Sequence, residues 1–119
     1  MRLPRNQTIN QSADFLRIRK TGHAKAGRFV ILSTLEDPGL QTIRTAFVTS
    51  KRAAKKAHDR NYLRRRFRSF VQKFAPEFEN QQRFIVTIAR PGAANADPAE
   101  LEADWKKQAS RLGLFPKSS

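Results

Sequence analysis

The sequence predicts a single α+β domain whose elements follow the order helix, strand, strand, long helix, strand, helix. Its 119 residues are the length of one domain. Apolar residues recur at helical spacing between residues 57 and 74. Two stretches, 28–35 and 83–89, are rich in the β-branched and aromatic residues that are typical of strands. Neither repeats nor a low-complexity tract interrupts this pattern, so we expect one domain over residues 1–119.

The first helix is predicted over residues 15–20. Ser12 is a suitable N-cap, and Gly22 a suitable stop. Phe15 and Ile18 lie three residues apart and are expected to face inward together. Phe15 also has a second interpretation, as a platform on which an unpaired base stacks.

Two strands are predicted next, over residues 28–35 and 42–49, with turn-forming residues at 36–39. They are expected to pair as an antiparallel hairpin. A further strand near residues 23–27 has little support in the sequence.

The long helix is predicted to begin near residues 57–59 and to end at Phe74, because Ala75-Pro76 follows. The apolar run 83–89 suits a strand that is covered on both faces. A strand–helix–strand step favours parallel outer strands, and such crossovers are normally right-handed.

The last helix is predicted to start at Asp97-Pro98, with Glu100 in its first turn. Leu101, Trp105 and Leu112 share one face of it, and Trp105 is expected to anchor the core. The chain ends are predicted to be irregular, with a flexible basic arm over residues 1–10 and a loose tail over 114–119.

Charge is the dominant property of the composition. The net charge is +14 and the isoelectric point is about 11.5, which favours RNA, DNA or an anionic membrane as partner. Residues 51–68 hold nine of the 24 lysines and arginines and one acid, Asp59. No apolar run approaches a membrane span or follows the basic N-terminus as in a secretory signal, so a cytoplasmic protein is the default expectation.

The long helix is predicted to present two rows of side chains. Leu63, Phe67, Phe70 and Phe74 form an apolar stripe, and Arg60, Arg64 and Arg68 form a cationic row beside it. Like charges at i and i+4 repel each other, and a polyanion against the row would relieve that repulsion. Arginine suits phosphate because its planar fork pairs with two oxygens. The alternative interpretation is a cationic face that only keeps the protein soluble.

Catalytic and metal-binding patterns are poor in this chain. It contains no cysteine, and its two histidines, His23 and His58, have no second ligand at metal-binding spacing except Asp59 beside His58, where neighbouring side chains diverge on a helix. Glycine-rich phosphate loops, paired carboxylates and nucleophile elbows are missing. We therefore expect no catalytic residue and no protein-bound metal, and a self-sufficient enzyme is not predicted.

The basic stretch resembles the signature of the bacterial ribonuclease P protein component. That family carries an SKK-type segment, then A-x-x-R-N-R, then further cations, and this chain has Ser50-Lys51-Arg52, then Ala57-His58-Asp59-Arg60-Asn61, then Arg64-Arg65 and Arg68. Phe15 with Gly22, the strand from Phe29, and the stretch 85–92 resemble other segments of the family. The resemblance covers most of the chain.

The resemblance implies a two-layer α–β sandwich of the ribonuclease P protein type, related to the second domain of ribosomal protein S5, with a left-handed βαβ crossover. It thus contradicts the general handedness expectation. It also implies a catalytic RNA as partner, which with Mg²⁺ removes the 5′ leader from precursor tRNA. The protein would be a monomer in a 1:1 ribonucleoprotein, and the Mg²⁺ would be held mainly by the RNA.

Two sets of site residues carry over from the family. The first set would contact the catalytic RNA: Lys51, Arg52, Lys55, Lys56, Arg60, Asn61, Tyr62, Arg64, Arg65 and Arg68. The second set would line a cleft for the single-stranded leader between the first helix and the sheet: Phe15, Arg19, Val30 and Leu32.

The chain departs from the family pattern at two positions. Tyr62 stands where the family has the second arginine of R-N-R, so stacking or Arg66 would replace a charge contact. Arg19 stands where many members have an aromatic residue, and could grip a leader phosphate.

Three rival functions stay open from the sequence. They are a ribosomal or general RNA-binding protein, a DNA-binding architectural protein, and a membrane-surface protein. No short helix precedes the basic helix to form a helix-turn-helix, and the phenylalanine stripe suits a protein core better than lipid.

Overall fold

The computed structural model describes residues 7–116, and the element bounds follow from it. The helices are α1 (Ser12–Thr21), α2 (Ala57–Phe74) and α3 (Pro98–Arg111), and the strands are β1 (His23–Ala26), β2 (Val30–Glu36), β3 (Arg44–Val48) and β4 (Arg83–Ala89). Short 3-10 turns lie at Ala75–Glu77 and Ala93–Asn95. The predicted limits of α2, β4 and the start of α3 are confirmed, whereas Ser12 is the first residue of α1 and Gln11 occupies its N-cap.

Within the described residues, the four strands form one sheet in the order β1-β2-β4-β3. The predicted hairpin between β2 and β3 is therefore wrong, because β4 lies between them and pairs antiparallel with β2 and parallel with β3. β4 is buried at every position but one, and such an apolar strand is best covered at the centre of a sheet. The parallel pairing across the β3–α2–β4 step is confirmed, and the left hand of the crossover stays a prediction.

The two edges of the sheet differ. The strand β1, which has little support in the sequence, forms on one edge and is exposed at all four positions. At the other edge, the Ile9 N–H donates a hydrogen bond to the Thr45 carbonyl (3.1 Å), and Ile9 is buried. The prediction of a flexible arm over residues 1–10 is thus wrong for 7–10, and residues 1–6 lie outside the described part.

One face of the sheet packs against α2 and α3 and forms the main core. The predicted stripe of α2 is confirmed, since Leu63, Phe67, Phe70 and Phe74 are all buried. Trp105 of α3 is fully buried, stacks on Phe74, and donates its indole N–H to the Thr87 hydroxyl (3.1 Å). This bond satisfies a polar group that burial would otherwise penalise.

The C-terminal segment also joins this core. Leu114 is fully buried, and Phe115 makes edge-on contacts with Phe74 and Phe78. The predicted loose tail is therefore wrong for residues 114–116, because two large apolar side chains gain burial there. Residues 117–119 lie outside the described part.

The opposite face of the sheet is only partly covered, by α1. Ile18 is the buried residue of this helix and packs with Ile9, Phe84 and Val86. Phe15 remains 37% exposed, so the prediction that it faces the core with Ile18 is wrong. Much of this face is left open beside α1.

Candidate nucleic-acid interface

The basic surface is built by the loop 50–56 and the first turns of α2. Ala53 and Ala54 are buried and fix the loop to the core, while its four cations, Lys51, Arg52, Lys55 and Lys56, are exposed. The Arg60 guanidinium donates to the carbonyls of Ala54 (2.9 Å) and Lys55 (2.7 Å). Arg60 thus ties the loop to α2, so loop and helix form one surface.

The cationic row of α2 is present but its members differ. Arg64 is exposed and donates to the Asn61 side chain (3.1 Å), so its remaining donors face solvent. Arg68 is half-buried, and its Nε is enclosed without a partner among the described residues. Asp59 and the His58 ring lie 3.7 Å apart on the exposed start of the helix.

Tyr62 departs from the family pattern, and Arg66 is the cation expected to replace the missing charge contact. Both have defined positions in the structure. Tyr62 is half-buried against the main core, and the Arg65 guanidinium lies 5.7 Å from its ring centre. Arg66 lies 5.2 Å from the ring centre of Phe70, with its Nε enclosed and without a partner among residues 7–116. Cation–π contacts of this kind orient a guanidinium over a ring. Tyr62 therefore contributes a ring to the basic surface, and Arg65 already covers part of it.

A groove of about 740 Å³ separates α1 from the open face of the sheet. The helix contributes Phe15, Leu16 and Arg19 to its wall. The sheet contributes Ser33, Val48, Val86 and Ile88. Phe15 and Arg19 thus both line this groove, whose lining combines apolar surface with one cation, and their role as a leader cleft stays a prediction.

Val30 and Leu32 do not line this groove. Both are fully buried in the main core, on the face of β2 that packs against the long helices. Successive residues of a strand point to opposite faces, so an error of one position exchanges core and cleft. Ser33 occupies the cleft side of β2 instead, and its half-buried state follows from the partly open face.

The groove residues that the sequence did not predict carry no distinguishing signal of their own. Val48, Val86 and Ile88 belong to apolar runs that suggest full burial, and nothing in the runs marks which side is open. In β2 the adjacent polar residues Ser33 and Thr34 lie on opposite faces and Thr34 is the buried one, so polarity alone does not indicate the open face.

Two contacts hold α1 in place over the sheet. A Cβ at Gly22 would lie 2.5 Å from both the Ile18 and Thr34 carbonyl oxygens, so only glycine permits this approach. The Arg17 guanidinium pairs with Asp37 (3.2 Å) in the β2–β3 loop. The pKa of Asp37 is lowered, mainly because the Gly39 N–H donates to its carboxylate and also because Arg17 is near.

Within residues 7–116 there is neither a cluster of metal ligands nor a helix that could span a membrane. Between residues 7 and 116, histidine, aspartate and glutamate form no group of three that could hold a metal ion. None of the helices in that range combines the length and the apolar character of a membrane span.

Fold and site together define a basic α+β protein that presents a cationic helix and, beside another helix, an apolar groove on the open face of its sheet. A family model named Ribonuclease P matches residues 3–113. The chain belongs to this family.

Relatives and solved structures agree with this assignment. The chain is 32% identical over 114 residues to the ribonuclease P protein component of Acidothermus cellulolyticus, covering 92% of this chain and 91% of that protein. It is 35% identical over 98 residues to that of Microcystis aeruginosa, covering 78% and 79%.

The fold is similar to that of two solved ribonuclease P proteins. The Staphylococcus aureus protein gives a TM-score of 0.82 at 24% identity, with 92% of this chain and 98% of that chain covered. The Thermotoga maritima protein gives a TM-score of 0.74 at 20% identity, with 87% and 96% covered. These two structures show the fold, whereas the family match and the relatives show that the chain takes part in ribonuclease P activity as its protein component.

Proposed function

We propose that this chain binds the catalytic RNA of ribonuclease P through α2 and the loop 50–56, and the 5′ leader of precursor tRNA through the groove beside α1. The observation that carries the proposal is the division between the two surfaces. One is cationic and nearly free of acids, as a phosphate backbone requires. The other is apolar and open, with an exposed aromatic ring, as an unpaired strand requires.

The chemistry itself belongs to the RNA partner in this proposal. Mg²⁺ prefers carboxylate and phosphate oxygens, and Asp59 is the sole acid of residues 51–68. The side chains of residues 51–68 therefore do not fit Mg²⁺, and the RNA would hold the ion. The cations of this chain lower the repulsion between RNA phosphates, so the holoenzyme should need less Mg²⁺ than the RNA alone. The proposed complex is a 1:1 ribonucleoprotein in the cytoplasm.

The groove explains how precursor and product would be distinguished. A leader in contact with Phe15 and Arg19 adds binding free energy that mature tRNA lacks. A stacked base contributes about 1–3 kcal/mol, which corresponds to roughly a 5- to 150-fold preference for the precursor. Mature tRNA would then bind less tightly than the precursor, so product would not be favoured over substrate.

Reconstitution tests the proposal. The purified protein is mixed with a bacterial ribonuclease P RNA at low Mg²⁺, and removal of the leader from a precursor tRNA is measured. We expect cleavage at the mature 5′ end that requires both components.

Tight binding to several RNAs without stimulation of cleavage by any catalytic RNA would contradict the proposal. It would indicate a general RNA-binding role instead. Ribosomal RNA, duplex DNA and anionic vesicles serve as the competing ligands.

A further inference from the structure

A second cluster of cations lies outside both surfaces, around the turn between β1 and β2 at residues 26–29. It consists of Arg28, Arg90, Lys107 and Arg111, all exposed, and we call it the turn surface. They come from three separate parts of the chain, so no run of basic residues in the sequence marks them. Arg90 and Arg111 reach the backbone of the turn, and Lys107 lines a shallow depression together with Arg28 and the acid Glu100.

Two of the three arginines of the turn surface donate to backbone carbonyls, whereas the Arg28 guanidinium lies over the Phe29 ring, 5.0 Å from its centre. Arg90 donates to the Gly27 carbonyl (2.7 Å), and Arg111 donates to the carbonyl of Ala26 (3.4 Å) and to the Gln108 side chain (2.6 Å). Each bond uses one guanidinium nitrogen and leaves the other donors available. Side chains held in this way lose little entropy when they bind an anion.

The turn beneath them is a rigid support. The Asp104 carboxylate accepts hydrogen bonds from the backbone N–H groups of Arg28 (3.3 Å), Phe29 (2.8 Å) and Val30 (3.1 Å). A Cβ at Gly27 would collide with the same carboxylate and with the Gln108 amide, so a larger residue there would have to displace them. Asp104 is therefore occupied by the backbone and by the Gln108 amide (3.1 Å), and it does not pair with the four cations.

The turn surface lies at the same end of the sheet as the loop 50–56. The strand register pairs Val30 with Ala89 and Val48 with Ile88. The segments at 26–29, 90–92 and 49–56 consequently leave the sheet side by side, across neighbouring strands about 5 Å apart. The turn surface and the loop 50–56 therefore lie at the same end of the sheet.

We propose that the turn surface is a second contact for the phosphate backbone of the catalytic RNA. Fixed guanidinium groups and a flexible lysine at one rigid turn suit phosphate oxygens. The inference rests on the proposed function, and it adds a surface to that function from residues outside the basic stretch 51–68.

The test compares two variants that lose the same charge. Arg28→Gln combined with Lys107→Gln removes two cations. Their side chains donate no hydrogen bond within the described residues, so their loss should not disturb the fold. Lys20→Gln combined with Arg44→Gln is the control, since both residues lie toward the opposite end of the sheet, where Arg44 pairs with Phe84. Affinity for the catalytic RNA is measured for each across a salt series.

We expect the turn-surface variant to lower the magnitude of the log–log salt slope by about 1 to 2, at roughly 0.9 for each phosphate that the variant no longer neutralises. The control should change the slope less, and thermal unfolding of both variants should match that of the unmodified protein.

Equal slopes for the two variants would overturn the inference. So would a loss confined to precursor tRNA binding by the assembled holoenzyme, because the turn surface would then serve the substrate. Failure of the unmodified protein to bind the catalytic RNA would contradict the proposed function itself, and the two failures are thereby distinguished.

Discussion

Arg60 and Arg64 belong to one row of α2 but make different contacts. Arg60 donates to the loop carbonyls of Ala54 and Lys55, whereas the one side-chain hydrogen bond of Arg64 within residues 7–116 goes to the neighbouring Asn61. Sequence spacing predicts their shared row, but the difference in contacts depends on how the preceding loop folds back.

At the level of single residues, we predict that Arg60→Ala and Arg64→Ala both weaken assembly with the catalytic RNA. The plot of log affinity for the RNA against log salt concentration has a negative slope. Removal of one phosphate-neutralising cation should lower the magnitude of that slope by about 0.9 in each case. Arg60→Ala should in addition lower the free energy of unfolding by about 1–3 kcal/mol, because two carbonyls lose their charged partner. RNA titrations and chemical denaturation measure the two effects. Equal stability of the two variants would contradict the structural role of Arg60.

Phe15 contributes to the groove rather than to the core, since 37% of it is exposed. We predict that Phe15→Ala weakens precursor binding by roughly 5- to 150-fold through the loss of base stacking. Assembly with the catalytic RNA and the unfolding temperature should change little. Affinities for precursor and mature tRNA measure the effect.

Leu16→Ala is the matched control for Phe15→Ala. Leu16 is 49% exposed and also lines the groove, but its side chain cannot stack on a base. We expect the smaller loss of precursor affinity from this variant. Equal losses would indicate simple apolar contact, and an equal effect on assembly would contradict the division between the two surfaces.

At the scale of elements, α1 depends on few contacts for its position. It buries Ile18, brings Gly22 against two carbonyl oxygens, and pairs Arg17 with Asp37. Exposed ion pairs contribute little, about 0–1 kcal/mol. The close approach at Gly22 is therefore a main determinant of where the groove wall lies.

We predict that Gly22→Ala displaces α1 and lowers the free energy of unfolding by about 1–3 kcal/mol, as overpacking does elsewhere. Precursor affinity should fall more than affinity for the catalytic RNA, because α2 is unaffected. Gly39→Ala is the control, since a Cβ there would lie 3.1 Å from a single Asp37 oxygen. Denaturation curves with equal midpoints for the two variants would contradict this account.

The strands show where prediction from the sequence fails at this scale. β2 and β3 follow each other along the chain, so a hairpin is the simplest expectation, but β4 offers both of them a largely buried, apolar partner and lies between them. The assignment of Val30 and Leu32 to the cleft failed for a related reason. Strand alternation tells which residues share a face, and only the packed helices tell which face is closed.

At the scale of the whole molecule, the net charge of +14 governs both stability and binding. Self-repulsion destabilises the free protein and is screened within about 10 Å at 0.1 M salt. The same screening weakens contacts with RNA phosphates.

We therefore predict opposite effects of salt on the two properties. Raising NaCl from about 0.05 to 0.5 M should raise the unfolding temperature of the free protein. Affinity for the catalytic RNA should fall with a log–log slope of roughly −4 if five phosphates are contacted. Calorimetry and RNA titration measure the two responses. An unfolding temperature that falls with salt would show that favourable ion pairs outweigh the repulsion.

The sequence by itself determined the α+β class, the limits of α2 and β4, the aromatic stripe of α2 and the cationic row beside it. These properties depend on local spacing, because a helix or strand repeats over a few residues. It also carried the family resemblance, which the family match then confirmed.

The tertiary structure alone decided the strand order, the closed and open faces of the sheet, and the turn surface. Each of these depends on residues far apart in the chain, such as Arg90 and Arg111 meeting at residues 26–27. Contacts of this kind form when whole elements pack to bury their apolar faces, and local spacing carries no information about which elements will meet.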